Sequence, residues 1–181
     1  MLGLIQRSRD IFQLEEGVYQ LRPEAVDLLA LARRVGQEFM PLARARQVGL
    51  AYGLAGRPAG EVETYLVAGE PGLLEVLLEN LVKNAIEAAP AGSTVSVGLG
   101  PAPAGGHLLD VHNLGVVPAE VRERFFEPYV TSGKQEGTGL GTHSARLIAR
   151  AHGGEIAFTT SEQEGTHLLV SLPAQPPTAK P

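Results

Sequence analysis

"GKQEGTGLGTHSARLIARAHGG", residues 133–154, holds six glycines around a short helical pattern. Polar residues precede the glycines and a helix follows, so the backbone is freed just where a loop closes onto a helix N-terminus. Free N–H groups and the helix dipole make such a place attractive to an anion, and glycine allows close approach because it has no Cβ. Phosphate is the first ligand to consider; an ordinary loop with a glycine-rich start to its helix is the alternative. No Lys-Ser/Thr follows the glycines, so this is not the Walker loop. Nor is it the dinucleotide fingerprint, whose third glycine would fall at Thr142.

Working outward, apolar residues Leu74, Leu77, Leu78, Leu81, Val82, Ala85 and Ile86 make one broad face of a helix over 72–89, stopped at "PAG". "TVSVGL" and "HLLDVHN" alternate as two strands of a hairpin, and "EIAFTT" and "THLLVSL" form another pair around "SEQEG". Residues 49–68 read as two strands, the second in "VETYLVA". Pro23 is expected at the first position of a helix through Val26, Leu29, Val35, Phe39 and Leu42, broken near Pro41. Leu4/Ile5 and Ile11/Phe12 share a stripe on an opening helix ending at Gly17, suited either to its own domain or to an oligomer seam. The sum is an α+β two-layer sandwich, with helices on one face of a mixed, mostly antiparallel sheet. The expected divisions are 1–17, an appended helix; 18–173, the domain; and 174–181, a loose tail.

At 181 residues the chain is long enough to bury a core, and its net charge of −5 without a basic run argues against nucleic acid or an anionic membrane as partner. No cysteine is present, which excludes disulfides and thiolate metal sites. No apolar run nears the ~18 residues of a membrane span and no signal-peptide layout is seen, so a cytoplasmic domain is expected.

Two further features carry chemistry. Asn80 and Asn84 lie one turn apart on the long helix, roughly 5–6 Å between Cβ atoms. Asparagine is a poor helix-interior residue, so a pair flanked by apolar residues suits a polar task such as an oxygen ligand for Mg²⁺, or else a bond to a neighbour. In "DVHNLGVVP" a strand ends in an amide followed by glycine. Asn113 there is placed to read an adenine edge, or simply to close an Asx-turn.

The order of these pieces resembles the ATP-binding catalytic domain of sensor histidine kinases, in the GHKL superfamily (Bergerat fold) with gyrase B and the MutL proteins. "NLVKNAIEA" looks like the N box, "NLGVVP" the G1 box, "FFEPYVTSGK" the F box, "GTGLG" the G2 box and "EGTHLLVSLP" the terminal glycine-threonine strand. The resemblance covers roughly residues 49–173. It implies that Asn84, with Asn80 beside it, ligates the Mg²⁺ bridging the phosphates of ATP. By the same resemblance Asn113 faces the adenine amino group, Gly115 gives the base room, and Val117 aligns with the second glycine of the box. Phe126 and Tyr129 would anchor a lid, and Lys134 would reach phosphate. Gly137, Thr138, Gly139, Leu140 and Gly141 would wrap the triphosphate, and Thr166 would complete the adenine pocket.

Two departures stand out. The family's usual Asp-x-Gly-x-Gly reads here Asn113, Gly115 and Val117, and the run to Pro118 is one residue short. The acceptor histidine of the family is followed by an acidic residue, whereas His107, His112, His143, His152 and His167 are not; they read as surface or packing residues. The opening helix resembles the second dimerisation helix, which makes the chain a piece cut after the acceptor helix. The implied activity is transfer of the ATP γ-phosphate to a histidine on a dimerisation helix absent from the chain, in a homodimeric parent that serves a response regulator and whose other segments would carry any membrane tether. The alternatives are a nucleotide-sensing or docking module without kinase activity and, third, a GHKL ATPase. The last is disfavoured because Asn80 stands where a hydrolytic glutamate would, and Glu79 points about 100° away.

Overall fold

The computed structural model describes residues 2–130 and 139–177, side chains 2–8 excepted. Helix α1 (Leu2–Glu15) opens the chain, and Gly17 follows it at φ 68°, a left-handed position that suits glycine. Ile11 and Leu14 turn inward against the domain, while Phe12, expected on the same stripe as Ile11, is 60% exposed.

Strand β1 (Glu24–Asp27) comes next, then α2 (Leu28–Glu38) and α3 (Met40–Ala45). The helix therefore does not begin at Pro23. Residues 24–27 are captured by β4 (Leu66–Gly69) in an antiparallel pair, with Val26 opposite Val67. Asp27 then starts the helix, its carboxylate accepting from the N–H groups of Leu29, Ala30 and Tyr65 at 3.1 Å each. The expected break is present: Phe39 lies between the helices and Pro41 sits in the first turn of α3.

β2 (Gly49–Leu54) turns through Ala55 and Gly56, both at positive φ, into the two-residue β3 (Arg57–Pro58). The strand expected in "VETYLVA" is confined to β4 and joins the small β1–β4 sheet instead of the main one. Helix α4 (Pro71–Ala88) buries every residue of the expected apolar face, and Leu73 besides. β5 (Thr94–Pro101), β6 (His107–Asn113), the short α5 (Ala119–Arg122), α6 (Gly141–Ala151), β7 (Glu155–Ser161) and β8 (Gly165–Leu172) complete the chain.

The main sheet runs β3-β2-β5-β6-β8-β7, parallel only between β2 and β5. Helices α2, α4 and α6 cover one face, and the core lies between them and Val95, Val97, Leu99, Leu109, Val111, Ile156, Leu168 and Val170. This is the two-layer, mostly antiparallel arrangement expected. Among the described residues no helix is long and apolar enough to cross a membrane.

Candidate functional site

Strand alternation builds one end of the site. In β6 the core-facing series is Leu109, Val111, Asn113; in β8 it begins with Thr166 before Leu168 and Val170; in β7 it ends with Thr160 after Ile156 and Phe158. Each strand thus places a polar residue where its pattern would continue the core. The register sets them side by side, Asn113 opposite Thr166 and Thr166 opposite Thr160.

These groups bond to one another and to the loop after β6. Asn113 is 2% exposed, and its Nδ2 donates to the Gly115 carbonyl at 3.4 Å. The Thr166 hydroxyl donates to the same carbonyl at 2.7 Å and lies 2.8 Å from the Thr160 hydroxyl, which accepts from the Val117 N–H at 3.0 Å. Val117 is buried, and the Arg122 Nε donates to its carbonyl at 2.8 Å. Gly115 has no room for a side chain: a Cβ there would stand 2.1 Å from the Ala88 carbonyl oxygen at the end of α4.

The other end lies along α4. Asn80 and Asn84 are half-buried, each followed by a buried residue, Leu81 and Ala85, and Asn80 faces α6: a Cβ on Gly141 would sit 3.2 Å from its Oδ1. Eight positions separate Asn80 from Ala88, about 12 Å of helix rise. One flank of α4 therefore connects the bare helix start at Gly141 with the polar cluster at Gly115.

The glycine segment is pinned to what precedes α6. Gly139 has φ 67° and Tyr129 φ 64°; the Tyr129 N–H donates to the Gly139 carbonyl at 2.9 Å, and a Cβ on Gly139 would lie 2.6 Å from the Tyr129 carbonyl carbon. The Tyr129 ring itself is 76% exposed, so this residue holds the segment through its backbone. Phe126 does use its ring, packing with Phe125 and Phe158 at centroid distances of 5.1 and 5.8 Å. The Arg146 guanidinium lies 5.6 Å over it. The Thr142 hydroxyl donates to the Phe125 carbonyl at 2.8 Å, and the His143 Nδ1 bonds the Phe126 carbonyl at 3.1 Å. Leu140 occupies the N-cap of α6 without a side-chain cap. Lys134, Gly137 and Thr138 lie outside the described residues.

Two groups of the expected residues are thus brought together: Asn113, Gly115, Val117 and Thr166 through their hydrogen bonds, and Asn80 with Gly141; Asn84 lies one turn from Asn80 on α4, and Leu140 and Gly139 lead into Gly141 beside the Tyr129 backbone. Sequence reasoning did not single out Thr160. Its signal was the alternation of "EIAFTTS", which puts Thr160 on the face of Ile156 and Phe158. Asp110, read as structural, faces away from this polar cluster on the other sheet face, where His167 Nδ1 approaches its carboxylate at 3.0 Å and the His167 ring stacks on His112.

A family model described as histidine kinase-, DNA gyrase B- and HSP90-like ATPase matches residues 69–176. The sensory/regulatory protein RpfC of Xanthomonas campestris pv. campestris is 32% identical over 183 residues, 96% of this chain and 24% of its own length. The sensor protein CutS of Streptomyces coelicolor is 38% identical over 120 residues, 63% of this chain and 29% of its own. The chain spans under a third of the length of these relatives. Among solved structures, full-length ShkA in complex with AMPPNP shares the fold, at a TM-score of 0.77 and 23% identity, covering 98% of this chain and 36% of that one. The catalytic domain of histidine kinase ThkA aligns at a TM-score of 0.71 and 25% identity, over 86% of this chain and 99% of that one. The chain belongs to the family of histidine kinase-, DNA gyrase B- and HSP90-like ATPases, and within it is a catalytic ATP-binding domain of the histidine-kinase type.

Proposed function

We propose that ATP lies along the exposed flank of α4, with adenine at Asn113, Gly115, Val117 and Thr166 and the phosphates at Asn80, Asn84 and the start of α6. The observation that carries this is the pair of bare glycines at the two ends of that flank, Gly115 against Ala88 and Gly141 against Asn80. Both leave backbone open where a flat base and a phosphate chain need it.

Mg²⁺ fits this donor set. Among the described residues no cluster of three or more His, Asp or Glu is arranged to hold a metal ion, so an ion here would rely on the Asn84 amide oxygen together with oxygens of the nucleotide and water. When bound, it would neutralise charge developing on the transferred phosphoryl group. The chain's own part is to orient the nucleotide and expose its terminal phosphate. Asn80, not Glu79, is the side chain beside Gly141, and an amide cannot take a proton from water. That favours transfer to a histidine supplied by a dimerisation domain over hydrolysis. The parent protein would then be a homodimeric sensor kinase that hands phosphate on to a response regulator.

The test is calorimetric titration with a non-hydrolysable ATP analogue, with and without Mg²⁺, on the wild type and Asn84→Ala. Expected is Mg²⁺-assisted binding that weakens about tenfold in Asn84→Ala, on the order of the loss of one charge-assisted contact. Equal binding by both proteins would remove Asn84 from the metal site. A rapid intrinsic ATPase lost in Glu79→Ala would replace phosphotransfer with hydrolysis.

A further inference from the structure

The polar groups at the ends of β6, β7 and β8 form a chain of hydrogen bonds whose direction is fixed. The Val117 N–H can only donate, and it donates to Thr160 Oγ1 at 3.0 Å. The Gly115 carbonyl can only accept, and it takes the single hydroxyl proton of Thr166 at 2.7 Å. The 2.8 Å contact between the two hydroxyls must therefore be donated by Thr160. Protons run one way, from Val117 through Thr160 and Thr166 to Gly115.

The same carbonyl faces the Asn113 amide at 3.4 Å. With Nδ2 toward Gly115 the contact is donor to acceptor; turned over, it would set two oxygens against each other. Asn113 is almost wholly buried, so this choice is made by protein groups and not by bulk water. Its Oδ1 is left as the acceptor on the other side of the amide. An acceptor pairs with the amino group of adenine and opposes the exocyclic carbonyl oxygen that guanine and hypoxanthine carry at the equivalent position.

We propose that Thr160 is a positioning residue for purine selectivity: it tethers the 115–117 loop and polarises Thr166, so that the Gly115 carbonyl fixes which end of the Asn113 amide meets the base. The proposal rests on the nucleotide reading above. It accounts for how an amide serves where the family's usual residue is a carboxylate, whose two oxygens need no orienting.

The test compares wild type, Thr160→Val and Thr160→Ser by titration with non-hydrolysable analogues of ATP and of its hypoxanthine counterpart. The wild type is expected to prefer adenine, Thr160→Val to lose about tenfold of that preference, and Thr160→Ser, which keeps the hydroxyl, to restore it. Equal weakening for both bases in Thr160→Val would reduce Thr160 to a structural role and overturn the proposal. If Thr160→Val does not fold, the Asn113 side-chain amide of the wild type, assigned by its loss in Asn113→Asp, decides by NMR: slow hydrogen exchange is expected, and rapid exchange overturns the fixed orientation. Failure of the wild type to bind either nucleotide would overturn the nucleotide reading itself, a result distinct from binding without discrimination.

Discussion

The two ends of α6 carry two histidines in opposite settings. At the C-terminal end His152 is 1% exposed; its Nδ1 lies 2.8 Å from the Ile148 carbonyl and its Nε2 accepts from the Glu70 N–H at 3.0 Å. One partner accepts and one donates, so a neutral ring satisfies both. At the N-terminal end His143 lies between two acceptors, the Phe126 carbonyl at 3.1 Å and the Glu15 carboxylate at 3.0 Å. The far end of α6 is closed by the domain's own backbone, whereas the near end is joined to α1 and to the aromatic segment beside the candidate site. One end is held by bonds to the backbone of the domain itself, the other by a side chain shared between α1 and the segment before α6.

The largest expected effect belongs to the closed end. A Cβ on Gly154 would meet the Ser171 carbonyl oxygen at 2.0 Å, so Gly154→Ala forces β7 from β8 and should cost about 1–3 kcal/mol of stability by thermal or urea unfolding. The protein that remains folded should bind nucleotide as before, and a selective loss of binding would erase the distinction between the two ends.

An intermediate effect concerns acid. Burial holds the His152 pKa below its ordinary value, against the opposing influence of the Ile148 carbonyl and Glu70. The unfolded chain therefore binds a proton more readily than the folded one. Stability from this residue is full above the unfolded value of about 6.5 and falls as pH drops below it toward the depressed folded value, by at most about 1.4 kcal/mol per pH unit. Melting temperatures of the wild type between pH 7.5 and 5.5 should show this decline, and His152→Gln should lose that part of it. Parallel curves would mean that His152 takes up its proton equally in the folded and the unfolded chain.

The smallest effect is at the open end. Glu15 is a partly exposed member of its pair, so Glu15→Gln should change stability by less than about 1 kcal/mol. A larger loss would make the contact between α1 and α6 a fixed part of the domain.

The site residues most legible in sequence were those governed by local spacing. Asn80 and Asn84 fall one turn apart whatever else the chain does, and the long apolar face of α4 fixes which side they share. The β5–β6 hairpin and the β7–β8 pair were equally plain, because alternation and turn residues agree. Non-local capture was not legible. Residues 24–27 form a strand only because β4 arrives from forty residues further on, and Asp27 caps α2 while also binding the Tyr65 N–H. Thr160 escaped notice because threonine is ordinary in a strand, and its importance lies in the register that sets it opposite Thr166. Tyr129 has a positive φ, which carries no sequence signal in tyrosine, and it meets Gly139 through its backbone.

The polar cluster at Gly115 draws on the end of α4, on β6, β7 and β8, and on the loop between β6 and α5, pieces that meet only when the sheet is complete. A partly folded chain therefore has no fraction of the site to offer. Any ligand held there couples its binding to global folding, adding about 2.7 kcal/mol at a hundred times its Kd. For this domain, occupancy of the site would act as a thermodynamic brake on unfolding and on proteolysis through the unfolded state, so that cellular nucleotide level and domain lifetime become linked quantities.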